Sequence, residues 1–121
     1  MKRRFRLTRS TEIKRVRRSG KSYAHPLVVL YVIESEFPET HVGVSAGVAV
    51  GNAVKRNRAK RLLRAAMSDL IPLTVPGWDV LLIARSPLAA ANAFQTREAL
   101  TSLLKRANLL TQTYEFRTPA S

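Results

Sequence analysis

The chain has 121 residues, 45% of them apolar, enough for one modest core and little more. It carries 21 Lys or Arg against 8 Asp or Glu, a formal net charge of +13, which points to a polyanionic partner. It contains no cysteine, which excludes disulfides, thiolate metal sites and a Cys nucleophile and fits a reducing cytosol.

The charge is not spread evenly. Residues 1–21 hold ten bases and one acid, residues 55–64 hold six bases and no acid, and the remaining five bases and seven acids nearly cancel. Two surfaces therefore carry the charge, the electrostatic footprint of a nucleic-acid binder. A basic membrane-surface helix would need Trp, Phe or Leu opposite its cations and no packed β core. No apolar run approaches the ~20 residues of a membrane span, and no apolar segment follows the basic N-terminus as in a secretory signal.

In chain order, residues 1–9 read as a basic arm, with Phe5 and Leu7 able to tuck inward while Lys2, Arg3, Arg4 and Arg6 stay in solvent. A short helix is predicted over Thr11–Ser19, capped by Ser10 and stopped at Gly20, with Glu12 at the positive end of its dipole. Tyr23–Pro26 reads as a connector. Leu27–Ile33 is an unbroken apolar run rich in β-branched residues, a strand buried on both faces or offering one as a binding surface. A polar turn follows, and His41–Ser45 is predicted to return as a strand in a hairpin with the first. Ala46–Val50 continues it, with a bend at Gly47. Asn52 caps a helix from Ala53 to Leu70, ended by Pro72. Trp78–Ala84 is a further buried strand. Ser86-Pro87 opens a short helix. Asn92 with Gln95 forms a capping box for a last helix over Ala93–Ala107, and residues 111–121 are expected to fray. The fold class is α+β in one domain, residues 1–121: α-β-β-β-α-β-α if residues 41–50 make two short strands, α-β-β-α-β-α if one.

The organising stretch is Gly51-Asn52-Ala53-Val54-Lys55-Arg56-Asn57-Arg58-Ala59-Lys60-Arg61-Leu62-Leu63-Arg64. Positions 59, 62, 63, 66, 67 and 70 form one apolar helical face. The other faces carry Lys55, Arg56, Arg58, Lys60, Arg61 and Arg64. Arg56, Lys60 and Arg64 share one edge, where like charges cost roughly 0.2–0.5 kcal/mol per pair. No acid compensates them, unlike a merely solvated helix, where signs alternate. Asn57 competes for backbone hydrogen bonds inside a helix, so a base or sugar contact suits it better.

Little in the chain can perform catalysis. His25 and His41 stand alone in the sequence, Glu34, Glu36 and Glu39 share a solvated turn, and Asp69 and Asp79 form no acid–base pair. No phosphate loop, metal-ligand spacing or nucleophile elbow appears. No catalytic and no metal-binding residue is therefore assigned. A self-sufficient nuclease lacks a centre; a duplex-DNA reader would place one helix in a major groove, and the charge along the whole helix disfavours base-edge reading, although composition alone leaves that alternative open.

The stretch from Gly51 to Arg64 strongly resembles the protein subunit of bacterial ribonuclease P, whose motif is a Gly-Asn-Ala-Val run, an Arg-Asn-Arg core, then Lys-Arg and a further Arg. Arg6-Leu7, Val16, Gly20, Leu30-Tyr31, Val42–Ser45, Asp79–Arg85 and Leu103-Leu104-Lys105 agree in order and spacing. The resemblance implies an α/β sandwich with a central sheet and a left-handed β-α-β crossover through the basic helix, against the usual handedness rule. It implies binding of ribonuclease P RNA and precursor tRNA, with no protein partner required, and removal of the 5′ leader in the cytoplasm. The Mg²⁺ ions would be bound mainly by the RNA and substrate. Lys55, Arg56, Asn57, Arg58, Lys60, Arg61 and Arg64 would bind RNA. Ile13, Arg17, Tyr31 and Ser45 would line a cleft for the single-stranded leader. The chain departs from the family at Ile13 and Arg17, where aromatics are usual, and at Gly47-Val48-Ala49, in place of a Ser-Lys-Lys run. Phe5 and the basic arm are a hypothetical compensation. The alternative is a non-catalytic RNA-binding module of ribosomal or chaperone type.

Overall fold

The computed structural model describes residues 3–111; Met1 and Lys2 of the arm, and residues 112–121 of the tail expected to fray, lie outside them. Three helices and four strands follow in the order α1 (Ser10–Ser19), β1 (Lys21–Ala24), β2 (Val28–Glu34), β3 (His41–Ser45), α2 (Ala53–Leu70), β4 (Trp78–Ala84) and α3 (Ala93–Arg106). The α-β-β-β-α-β-α order is thus present, but with a different extra strand. Lys21–Ala24, expected in part as a connector, pairs antiparallel with β2. Val48–Val50, expected as strand, is instead a 3₁₀ turn.

The sheet order is β1-β2-β4-β3. β2 is antiparallel to β4, and β3 runs parallel to β4. The expected β2–β3 hairpin does not form, because β4 inserts between the two. The β3–α2–β4 connection is therefore a crossover between parallel neighbours, which need a long connection of the kind α2 supplies.

Alternation along the strands separates two faces. Val28, Leu30, Val32, Val42, Val80 and Leu82 point to the side covered by α2 and α3, where Leu63, Met67, Leu100, Leu103 and Leu104 complete the main core. The opposite face carries a smaller cluster of Leu7, Val16 and Leu81, with Ile13, Tyr31, Ile33 and Ile83 half-buried against it. This explains the unbroken apolar run of β2: its residues alternate between buried and half-buried rather than between buried and wet.

Local signals act at the helix ends. The Asn52 side chain accepts from the Lys55 amide, and Asn92 and Gln95 form the reciprocal capping box. Ser10, expected as a cap, is the first helical residue of α1; Arg9 precedes it without a side-chain cap bond. Ser86 and Pro87 open a 3₁₀ turn, Ser86–Ala90, which Arg85 precedes without a side-chain cap bond. Gly20 ends α1 in extended conformation, φ −79°. Close approach is what requires glycine there: a Cβ would stand 2.5 Å from Val16 O and 2.8 Å from Val32 O. Gly51 has φ +134°, which L side chains rarely adopt, and lets β3 turn into α2.

Candidate nucleic-acid interface

Helix α2 buries Ala59, Leu63, Ala66, Met67 and Leu70, while Leu62 is half-buried at the edge of that stripe. The same periodicity turns the cations outward. Lys55, Asn57 and Arg61 are exposed, and Arg56, Lys60 and Arg64 are half-exposed. Asn57, Lys60, Arg61 and Arg64 line a shallow groove of about 410 Å³ whose remaining wall is Val54, itself 73% exposed. None of these cations has an ion pair among the described residues. The acid on α2, Asp69, lies at the far end and meets Arg97 at 3.4 Å. Guanidinia and an ammonium without acids, beside an exposed apolar side chain, form a surface suited to phosphates.

Arg58 belongs to a different environment. Its Nε donates to Ala89 O at 2.8 Å and its Nη2 to Ala91 O at 3.2 Å. The guanidinium thus ties α2 to the turn after β4 and leaves one nitrogen free for another partner. Arg58→Ala is expected to lower stability by about 1–2 kcal/mol, since two charge-assisted bonds to carbonyls are removed. Arg61→Ala should leave stability unchanged. Thermal or urea unfolding of the two variants checks this, and equal stability would mean that the Arg58 bonds contribute nothing.

On the other face, α1 lies across the sheet. The register places Val29, Ile83 and Ser45 in one row, Tyr31, Leu81 and Gly43 in the next, and Ile33, Asp79 and His41 in the third. Val16 of α1 is fully buried above this face, with Ile13 and Tyr31 half-buried beside it. Arg17, four residues after Ile13, is exposed on α1, and Ser45 is half-buried on the edge strand. The four predicted cleft residues are thus gathered around one face: Ile13 and Arg17 from the helix, Tyr31 and Ser45 from the sheet. The predicted RNA-binding side chains lie on α2, which packs on the opposite face.

The third row holds a feature that sequence reading missed. Asp79 is buried, with its side chain 4% exposed, and accepts a 2.6 Å bond from Arg15 Nη2 of α1. His41 Nδ1 stands 3.5 Å from Asp79 Oδ1, which receives no hydrogen bond. His41 is therefore not isolated. The one sequence signal was an acid at the head of an apolar strand, where a carboxylate needs a partner.

His25 Nδ1 accepts from the Leu27 amide in the β1–β2 turn. Among the described residues no group of three or more His, Cys, Asp or Glu is arranged to hold a metal ion, and no helix is long and apolar enough to cross a membrane.

The model of the ribonuclease P family matches residues 1–108. The chain belongs to the ribonuclease P family. It is 36% identical over 115 residues to the ribonuclease P protein component of Oceanobacillus iheyensis, covering 93% of this chain and 94% of that one. It is 38% identical to that of a Roseiflexus species over 91% of each chain. The fold agrees with the Staphylococcus aureus RNase P protein, with a TM-score of 0.79 at 27% identity, covering 88% of this chain and 98% of that chain. The Thermotoga maritima RNase P protein gives 0.75 at 25% identity, covering 84% and 96%. In ribonuclease P terms the chain is a protein subunit of that tRNA-processing enzyme, with the mixed α+β architecture of its relatives.

Proposed function

We propose that this chain, acting as one RNA-binding domain in the cytoplasm, binds ribonuclease P RNA and the 5′ leader of precursor tRNA. It thereby assists Mg²⁺-dependent endonucleolytic removal of the leader. The observation that carries the reading is the division of the surface into two unlike parts. The outward faces of α2 present Lys55, Arg56, Asn57, Lys60, Arg61 and Arg64 without acid partners, a surface fitted to the phosphates of a structured RNA. Arg58 holds that helix in place and keeps one guanidinium nitrogen for RNA. On the other side of the sheet, β2 and β3 present Tyr31 and Ser45, both half-buried, and the covering helix α1 presents the half-buried Ile13 and the exposed Arg17. A half-buried aromatic on the sheet and an exposed cation on the helix that covers it suit an unpaired strand, whose bases stack and whose phosphates seek a guanidinium.

We assign the Mg²⁺ ions to the RNA partner and the substrate rather than to this chain. The protein residues bind and orient: α2 holds the RNA subunit, and the α1-covered face restrains the leader, so that part of the positioning entropy is removed before the chemical step.

The test is cleavage of precursor tRNA at low Mg²⁺ by a cognate ribonuclease P RNA, with and without the protein. Strong stimulation that the protein alone cannot produce is expected. A folded protein that binds RNA without stimulating cleavage would instead be an RNA-binding module of another kind, and cleavage by the protein alone would place an active site in the chain. In the same assay Tyr31→Ala should weaken precursor-tRNA binding by roughly 5- to 100-fold, the cost of one stacked base, and leave mature tRNA unaffected. Equal losses for both would make Tyr31 a packing residue only.

A further inference from the structure

We propose that the N-terminal arm and the β2–β3 connection form a second binding site, for one nucleotide of single-stranded RNA supplied by the precursor leader. The inference rests on the function proposed above and extends the leader's path beyond the α1-covered face.

The arm is held against the sheet. Residues Arg3–Phe5 make a 3₁₀ turn. Arg6 bridges to Val42 in parallel, and the Leu7 amide donates to Val42 O at 2.8 Å. Leu7 is buried in the small core, so the arginines on either side of it are fixed to the edge of β3. Arg4, Arg6 and Arg9 line a depression of about 450 Å³ together with Phe37, Pro38 and Glu39 of the β2–β3 connection. That volume lies within the roughly 300–1,000 Å³ of small-molecule sites.

Three features identify the occupant. First, Phe37 is 58% exposed, and the His41 ring stands near-perpendicular to it at 6.1 Å and 81°. An aromatic so buttressed, with much of its surface open, is a stacking platform for a base. Second, the Arg4, Arg6 and Arg9 guanidinia have no ion pair among the described residues, although Glu12 and Glu39 line the same depression. The guanidinium of Arg4 lies over the Phe5 ring at 4.8 Å, which orients it without neutralising it. Free forks of this kind take a phosphate. Third, the two carboxylates disfavour a run of phosphates and instead accept hydrogen bonds from the amino groups of a base. Cations for a phosphate, a ring for a base and acceptors for its amino groups together describe a single nucleotide.

Placement selects the source. Glu12 is adjacent to Ile13 on α1, and His41 shares a row with Asp79 and Ile33 on the α1-covered face. The depression therefore borders the face assigned to the leader, while α2 lies on the other side of the sheet.

The experiment compares full-length wild-type protein, Phe37→Ala, Phe37→Trp and Arg4→Ala/Arg9→Ala, each assembled with cognate ribonuclease P RNA. Binding is measured to precursor tRNAs carrying a long leader or a short stub, and to the RNA subunit alone. Phe37→Ala is expected to weaken long-leader binding on the order of ten-fold, with the loss confined to that substrate, and Phe37→Trp to restore it. The double arginine variant should lower the salt slope for the long leader by about 0.7 for each phosphate it no longer neutralises. Unchanged long-leader affinity in Phe37→Ala and in the arginine variant would overturn the site. Equal losses for long leader, stub and RNA subunit would overturn the leader as its source. Failure of the wild-type protein to stimulate cleavage would reject the underlying function instead, and is read in a separate arm.

Discussion

Replacing Lys60, Arg61 and Arg64 together by alanine should lower affinity for ribonuclease P RNA on the order of 10²-fold near 0.1 M salt, without lowering protein stability. The magnitude follows from counterion release. Each neutralised phosphate contributes about 0.9 to the slope of log K against log salt, so three contribute roughly 2.7. Extrapolated from 1 M salt, where that term vanishes, to 0.1 M, this is a factor of several hundred at most. The stability half of the prediction comes from the helix itself. The three side chains line an outward groove and have no partner to lose among the described residues. Alanine is the best helix former, and removing like charges at i, i+4 spacing relieves repulsion. Titration at several salt concentrations, with thermal unfolding in parallel, measures both. An unchanged slope would remove this face of α2 from the interface. A fall in stability as large as the fall in affinity would mean that the groove is structural.

Arg15→Ala should destabilise the fold by about 2–3 kcal/mol, below the roughly 3–5 kcal/mol typical of a fully buried broken pair. The discount reflects Arg15, whose side chain is 41% exposed while that of Asp79 is 4% exposed. Removing Arg15 leaves the buried carboxylate with only the His41 imidazole, 3.5 Å away and not hydrogen-bonded to it. Asp79→Ala removes the charge as well as the bond, so Arg15→Ala/Asp79→Ala should be less unstable than the sum of the single changes. Urea unfolding of the four-member cycle is the measurement, and strict additivity would show that the pair is not coupled. The consequence for function is geometric. Arg15 ties α1 to β4, so its loss loosens the helix that carries Ile13 and Arg17 and covers the face holding Tyr31. Leader binding should weaken in Arg15→Ala with no cleft side chain replaced.

Features set within a few residues were legible in the sequence. Helix α2 has the predicted bounds, Ala53–Leu70, because Asn52 supplies a cap acceptor, the apolar stripe repeats at helical spacing, and Pro72 stops continuation. The capping box at Asn92 and Gln95 formed for the same reason. The outward cluster of cations on α2 was equally readable, since burying Ala59, Leu63 and Met67 forces the intervening positions into solvent, and the motif from Gly51 to Arg64 pointed to the family.

Tertiary structure decided what depends on distant partners. Lys21–Ala24 is short and carries no apolar alternation, and it is a strand only because the edge of β2 supplies its hydrogen-bond ladder. β4 separates β2 from β3 although it follows both in the chain, because strand order is a choice among whole-sheet packings that no single segment encodes. The partners of Arg58 lie 31 and 33 residues away and that of Arg15 lies 64 away, so one cation in a basic run became an anchor and another the clamp on α1. By itself the sequence determined the composition of the charged surfaces and the family, through local spacing. Only the folded chain decided which of those charges hold helices in place, and that the basic helix and the α1-covered face lie on opposite sides of the sheet. Those assignments depend on long-range contacts, whose geometry exists only once the sheet has closed.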